Sequence, residues 1–233
     1  KKIVLLAILV ISFTLALLAG NETEKKELRP FREISLRISA NLYVEQGAES
    51  KIVMEANRET LDKIIVEVID HKLIIRYSFE DMFFQSFDPG HITLRVTSPE
   101  IEMLSVAGSG NIIAEKTIDT RVIELFIAGS GDIKFANLKC ERVEAEITGS
   151  GNIILSGPPA REIKLLIAGS GSLLATQLKT EYAKIRVAGS GNCDVSVSDI
   201  LDARIFGSGD VRYQGDPKIE STISGSGRIR KNN

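Results

Sequence analysis

The chain has 233 residues with 29 basic and 31 acidic side chains, giving a net charge of -2, so it carries no overall attraction for nucleic acid. Its hydrophobic fraction of 43% and charged fraction of 26% are those of a folded chain, which argues against disorder over most of its length. The length suits one large or two small domains with a substantial core.

The first 20 residues differ from the rest. Lys1 and Lys2 precede an apolar run from Ile3 to Ala19, and a polar stretch follows at residues 21–29. A basic start, an apolar run and a small-residue end are typical of a secretory signal, although the run is almost long enough to span a membrane. Residues 1–20 are therefore predicted to be a signal peptide or an uncleaved N-terminal anchor, and 21–29 a polar linker. The protein is expected in the periplasm, on the outer membrane surface or outside the cell.

Residues 30–100 are predicted to form an irregular β region that covers one end of the fold. The segments ISLRISANLYVEQG, KIVMEAN and HITLRVTS alternate between apolar and polar residues, as strands do. RETLDKI suits one or two helical turns, and DHK suits a turn between IIVEV and LIIRYS.

One stretch of this region is unusually apolar, because four of the nine phenylalanines fall within nine residues. Its large apolar side chains are Phe79, Met82, Phe83, Phe84 and Phe87. Such a loop either packs over the end of the core, which is the default interpretation, or contacts a partner.

Residues 101–233 contain Gly-Ser-Gly seven times, at steps of 18 to 21 residues, and a near-constant period of this length predicts a repeat architecture. Val or Ile lies two residues before every triplet, and Ile, Leu, Cys or Val lies four residues after its first glycine. This alternation predicts a strand on each side of the triplet with one buried face. The glycines are predicted to be structural corners: Gly108, Gly110, Gly129, Gly131, Gly149, Gly151, Gly169, Gly171, Gly189, Gly191, Gly207, Gly209, Gly225 and Gly227.

About twenty residues with two or three short strands make one coil of a parallel β-helix. The predicted fold is therefore all-β, a parallel β-helix of about seven coils, whereas a β-sandwich would show less regular strand spacing. Opposite charges would then lie on adjacent coils at the steps from Glu144 to Lys164 and from Lys184 to Asp202.

Gly-Ser-Gly could also be a site of chemistry, but the sequence argues against each version. Seven equivalent serines cannot all be activated nucleophiles, and the strand-elbow-helix context of a hydrolase is missing. A phosphate loop would need a following Lys and Ser or Thr and a helix. Calcium-binding β-rolls need carboxylates on neighbouring coils, whereas Asp132 and Asp210 are four coils apart. No catalytic residue, cofactor or metal site is predicted.

The two cysteines are not expected to pair. Cys193 takes an inward position held elsewhere by Ile, Leu or Val, and Cys140 lies in the looser stretch about three coils away.

The exported start, the irregular β region, the lead-in SPEIEMLSVAGSGNI and the repeated GSGNI or GSGDI resemble a bacterial family described as putative auto-transporter adhesin, head GIN domain. The resemblance covers about residues 30–230. It implies a right-handed parallel β-helix in an envelope or surface protein, with no assigned activity and no catalytic residues to carry over.

Two functions are open. The first is a non-enzymatic exported binding or scaffold protein whose outer rows offer a long, mixed-charge face to a glycan or an envelope protein. The second is a carbohydrate-active enzyme, a polysaccharide lyase or hydrolase, that uses a lateral face of the β-helix.

Overall fold

The computed structural model of the protein describes residues 21–78 and 89–232. The predictions for residues 1–20 and for Phe79, Met82, Phe83, Phe84 and Phe87 lie outside these described residues. Within them the chain is all-β, with 71% strand and 3% helix, and forms a β-solenoid. The predicted fold class is confirmed.

The part before the triplets contains strands of four to six residues and a short helix. These elements are β1 (Glu22–Glu27), β2 (Glu33–Leu36), β3 (Asn41–Gln46), β4 (Lys51–Ala56), α1 (Arg58–Lys63), β5 (Ile64–Ile69), β6 (Lys72–Tyr77) and β7 (Thr93–Ser98).

The triplet region consists of strands that end or begin at the Gly-Ser-Gly corners. They are β8 (Met103–Gly108), β9 (Asn111–Asp119), β10 (Val122–Gly129), β11 (Ile133–Lys139), β12 (Arg142–Gly149), β13 (Asn152–Ser156), β14 (Ala160–Gly169), β15 (Ser172–Gly189), β16 (Asn192–Gly207), β17 (Asp210–Gln214), β18 (Lys218–Gly225) and β19 (Arg228–Lys231).

Each coil has two long sides that meet at a triplet. The strands before the triplets pair in parallel from β8 through β10, β12, β14, β15 and β16 to β18. The strands after the triplets form a second parallel series from β9 through β11, β13, β15, β16 and β17 to β19. The solenoid has about six turns, a minor difference from the seven coils predicted.

The looser stretch between coils, which holds Cys140, supplies a third row of inward side chains. Leu138 pairs with Ile118 of the preceding coil, and both side chains are fully buried. Leu178 is also fully buried on this side. The core is therefore enclosed from three sides.

The N-terminal segments do not stack in chain order. β2 lies between β6 and β8, and β3 lies between β7 and β9, all in parallel. The coil made by β2 and β3 therefore separates the coil of β6 and β7 from the first triplet coil. This order is non-local in sequence, so no local pattern could have predicted it.

Antiparallel pairing covers the N-terminal end of the stack. β4 pairs antiparallel with β7, and β5 pairs antiparallel with β6. The predicted helix is α1, which starts at the cap residue Asn57, whose side chain accepts a hydrogen bond from the Thr60 N–H at 2.8 Å. The predicted turn at 70–72 is a tight turn in which Asp70 and His71 have φ of 48° and 62°. Among the described residues no helix has both the length and the apolarity needed to cross a membrane.

The predicted linker is partly a strand. Residues 22–27 form β1, which pairs antiparallel with β4 along its whole length. The segment is highly charged and mostly exposed, so hydrophobic patterning gave no signal for a strand. Charged side chains are the usual protection of a strand at the edge of a sheet, because they discourage pairing with other chains.

The core is a set of stacked apolar columns. The column two residues before each triplet is at most 2% exposed in the first six triplet coils: Val106, Ile127, Ile147, Ile167, Val187 and Ile205. In the last coil the equivalent Ile223 is 43% exposed. No described residue covers the core at its C-terminal end, whereas antiparallel strands cover the N-terminal end.

Candidate binding face

The corners are columns of glycine that leave no room for side chains. Gly149 has a φ of +127°, and a Cβ placed on it would lie 2.3 Å from the carbonyl oxygen of Gly129 in the preceding coil. Gly151 is buried, and a Cβ there would lie 2.0 Å from the Gly131 oxygen and 2.7 Å from Ile127 Cγ2 of the inward column. The first glycine thus supplies a left-handed backbone and close approach, and the second supplies close approach to the core.

The serine between the glycines contributes its backbone to the corner. The Gly129 carbonyl accepts hydrogen bonds from the Ser150 N–H at 2.8 Å and the Gly151 N–H at 3.2 Å. The same pair of bonds recurs between the other successive triplets, and Ser150 is exposed. Six of the seven triplet serines therefore have the same local role, and within the described part of the chain no hydrogen bond to their hydroxyl groups is seen.

The structure contains one further corner that the sequence pattern missed. Leu36 pairs with Val106 and Asn41 pairs with Asn111, so Ile38-Ser39-Ala40 occupies the place of a Gly-Ser-Gly triplet. Only the serine matches, and the small Ala40 gives too weak a signal. This corner is the first layer of the column, and a Cβ on Gly108 above it meets nothing within 4 Å.

A polar ladder runs beside the corners on the residue that follows each triplet. Asn111 Nδ2 donates to Asn41 Oδ1 at 3.0 Å, and the Asp132 N–H donates to Asn111 Oδ1 at 3.2 Å. Both the backbone N–H and Nδ2 of Asn152 donate to Asp132 Oδ1. The carboxylate of Asp132 is therefore used in linking coils, as expected for a structural row. In the described part of the chain, no group of three His, Cys, Asp or Glu side chains is placed to hold a metal ion.

An ion pair between coils forms at one of the two positions predicted from the sequence. Lys164 Nζ lies 3.3 Å from Glu144 Oε1, and Arg212 binds Asp194 through two nitrogens. The predicted pair of Lys184 and Asp202 does not form. Asp202 lies opposite Lys184 in register, but its carboxylate binds Arg204 two residues along the same strand.

The outer side of the strands that precede the triplets forms a regular surface, which we call the flat face. In the six strands from β8 to β16, its first row consists of small residues except for Phe206: Ala107, Ala128, Thr148, Ala168, Ala188 and Phe206. Its second row is Ser105, Phe126, Glu146, Leu166, Arg186 and Arg204. Its third row is Met103, Glu124, Glu144, Lys164, Lys184 and Asp202.

A depression of about 400 Å³ lies in the middle of the flat face. Its lining combines apolar, acidic and basic side chains: Phe126, Glu144, Glu146, Lys164, Leu166, Lys184 and Arg186. A neighbouring depression of about 440 Å³ shares Phe126 and Glu146 and continues toward Ser35 and Arg37 of the N-terminal coil. Because the side chains of the first row are small, those of the second row project beyond them, and the two depressions continue one another along the stack.

Charge along the flat face changes sign. The acidic residues Glu124, Glu144 and Glu146 lie on β10 and β12, whereas Lys164, Lys184 and Arg186 lie on the next coils. Lys184 and Arg186 are exposed and have no carboxylate within 4.0 Å among residues 21–78 and 89–232. Leu166, 40% exposed, and Phe206, 53% exposed, flank these free cations.

A larger groove of about 780 Å³ lies on the third side of the coils. It is lined by Cys140, Pro159, Lys179, Ser196 and Asp216, among others. Cys140 is half-buried and packs against the core, and Cys193 is fully buried inside it. Both thiols are free, as expected.

Burial raises the pKa of the Cys140 thiol to about 11, so we expect slow alkylation by iodoacetamide near about pH 8, where the thiolate is scarce. A cysteine in the unfolded chain titrates near about 8.5. The folded chain therefore holds this proton more tightly, and the resulting stability is present below that pH and lost as the pH rises toward about 11. The free energy of unfolding measured with urea should fall more steeply across this pH window for the wild type than for Cys140→Ala. Equal falls in the two proteins would contradict the raised pKa of Cys140.

Solved structures share this fold over nearly their whole length. A putative adhesin from Bacteroides fragilis NCTC 9343 is 22% identical with a TM-score of 0.83, covering 91% of this chain and 97% of that one. A putative lipid binding protein from Parabacteroides distasonis ATCC 8503 is 26% identical with a TM-score of 0.74, covering 92% and 97%. A putative adhesin from Parabacteroides merdae ATCC 43184 is 18% identical with a TM-score of 0.69, covering 92% and 97%.

None of the curated protein sequences matches the chain. A family model does match, over residues 30–217, which is more than half of the chain. The glycine columns, the stacked inward rows and this match lead to one identity, which confirms the resemblance noted from the repeated GSGNI and GSGDI. The protein belongs to the family described as putative auto-transporter adhesin, head GIN domain.

Proposed function

We propose that the protein is a non-enzymatic, exported binding protein of the cell envelope or surface, and that its flat face binds an anionic glycan. The observation that carries this proposal is the pair of exposed cations Lys184 and Arg186, which have no acidic partner among the described residues. Membership of an adhesin-like family supports an exported location and a binding role.

The spacing of the face suits an extended polyanion. Neighbouring coils are about 4.8 Å apart, and side chains two residues apart on a strand are about 7 Å apart. Lys164, Lys184 and Arg186 therefore form a patch that can contact successive charges of one chain. The exposed Leu166 lies in the same row as Arg186 and offers an apolar surface for the carbon faces of sugar rings.

Charge reversal on the flat face tests this function. The double variant Lys184→Glu/Arg186→Glu should bind polygalacturonate about tenfold or more weakly, because each surface cation contributes up to about 1 kcal/mol. Isothermal titration or surface plasmon resonance at low ionic strength measures the loss, and added salt should weaken wild-type binding.

The matched control is Lys134→Glu/Lys179→Glu, which changes the net charge equally but lies on the other two sides of the coil. It should bind like the wild type. Equal losses in both double variants would show a non-specific charge effect and contradict the proposed site.

Two other ligand sources are separate arms of the same experiment. One structural neighbour is described as a putative lipid binding protein, so vesicles containing phosphatidylglycerol are tested beside the glycan. A fluorescently labelled envelope protein extract tests for a protein partner. Binding to either source, with none to the glycan, would overturn the choice of ligand.

A carbohydrate-active enzyme is the second candidate, favoured by Glu144 and Glu146 in the central depression. They lie two residues apart on the same side of β12, which places their backbones about 7 Å apart. Inverting glycosidases hold their two carboxyl groups at about 6.5–9.5 Å. Reducing ends released from the polysaccharide, and lost in Glu144→Gln/Glu146→Gln, would establish the enzyme and overturn the non-enzymatic proposal.

A further inference from the structure

Within the described residues, the C-terminal coil leaves an open edge at β18. Every residue of β18 is exposed, and its inward residues Ile219 and Ile223 are 40% and 43% exposed. The residues one coil earlier, Leu201 and Ile205, are fully buried. The last layer therefore has the composition of a core layer without a layer above it.

The backbone groups of the inward residues point to this open edge. In the triplet coils, the backbone N–H and C=O groups of inward residues form hydrogen bonds with the next coil. Those of outward residues form hydrogen bonds with the preceding coil. The Glu124 N–H donates to Glu102 of the preceding coil, and the Gly207 carbonyl accepts from Ser226 and Gly227 of the next. Glu220 is the equivalent of Glu124 in β18. Ile219, Ser221 and Ile223 thus present their N–H and C=O groups outward along the stack.

The described chain offers no other cover for this edge. The N-terminal end is closed by the antiparallel strands β4 and β5. An unpaired strand with an apolar face is a ready template for another strand.

We propose that β18 pairs with β18 of a second copy of this chain, antiparallel about a two-fold axis through Ser221. In this register Ile219 lies opposite Ile223 of the second copy, and Ser221 lies opposite itself. The three inward pairs are hydrogen-bonded pairs and supply about six backbone hydrogen bonds. Both isoleucine pairs become buried, and the contact is isologous and closed.

Charge is compatible with this register. Lys218 lies opposite Ser224 of the second copy, and Glu220 lies opposite Thr222, so no like charges face each other. A shift of one residue would instead place each isoleucine opposite an outward polar residue, which the alternation of β18 disfavours.

Cysteine crosslinking of the full chain in the producing cells tests the pairing. In a Ser221→Cys variant, mild oxidation should produce a dimer that is reducible on a gel. Ser224→Cys is the matched control, because residue 224 lies opposite residue 218 and should not crosslink. The native Cys140 is half-buried and Cys193 is buried. Crosslinking of the wild type, which has only these two cysteines, gives the background level.

The register is tested by charge pairs in the Ser221→Cys background. Ile219→Lys/Ile223→Lys places like charges opposite each other and should reduce crosslinking at least about tenfold. Ile219→Lys/Ile223→Glu places opposite charges in the same positions and should retain it. These sites are already partly exposed, so both variants are expected to fold.

Three results would overturn the inference: no crosslinked dimer, equal crosslinking by Ser221→Cys and Ser224→Cys, or a crosslink to a different protein. Because residues 219, 221 and 223 face inward and not onto the flat face, glycan binding by an Ile219→Lys/Ile223→Lys chain that does not dimerise would leave the proposed function standing. Conversely, a chain that still dimerises but does not bind the glycan would contradict the proposed function and leave the dimer inference standing.

Discussion

Gly149→Ala is expected to destabilise the protein by roughly 2 to 6 kcal/mol. About 1 to 3 kcal/mol arises from placing a side chain at a φ of +127°, and about 1 to 3 from the clash of its Cβ with the Gly129 oxygen at 2.3 Å. Urea unfolding at one fixed protein concentration measures the loss.

Two controls separate these contributions. Gly108→Ala has a φ of +113° but no atom within 4 Å of its Cβ, so only the conformational cost of about 1 to 3 kcal/mol should remain. Ser150→Ala changes an exposed side chain beside Gly149 and should stay within about 0.5 kcal/mol of the wild type. Equal losses for Gly149→Ala and Gly108→Ala would contradict the role of close coil approach.

Phe135→Ala is expected to cost about 3 to 5 kcal/mol, because it opens a cavity in the core. Phe135 is 1% exposed and lies between Ala114 of the preceding coil and Leu155 of the next. The small Ala114 cannot fill the space that the ring leaves.

Phe126→Ala is the matched control, since this ring lies on the flat face and is only half-buried. We expect a loss under about 1 kcal/mol. If truncation of Phe126 were as costly as truncation of Phe135, the assignment of inward and outward rows would be wrong.

The triplet coils could be predicted from the sequence because their information is local and repeated. Alternation placed Ile147 in the core and Glu146 on the surface, and the fixed period placed every Gly-Ser-Gly above the previous one. The corner at 38–40 was missed because only Ser39 matches the triplet. Its identity depends on the pairing of β2 with β8, which lies about seventy residues away in sequence.

The edges and charges of the fold were harder to predict. β1 was missed because a charged edge strand has no apolar alternation, and its partner β4 is set by tertiary pairing. The predicted ion pair between Lys184 and Asp202 was wrong because strand register alone does not decide which of two cations binds a carboxylate. Arg204 binds the carboxylate of Asp202 instead. The resulting unpaired Lys184 is the feature on which the proposed binding site depends, and only the side-chain geometry reveals it.

The structure gives the triplets a scaffolding role, and we propose that ligand binding belongs to the flat face. A side-by-side binding titration with polygalacturonate separates the two roles, using the wild type, a variant with all seven triplet serines changed to alanine, and Lys184→Glu/Arg186→Glu. We predict that the serine variant folds and binds like the wild type, whereas the face variant folds but loses about tenfold or more in affinity. A folded serine variant without binding, beside a face variant with full binding, would contradict the account.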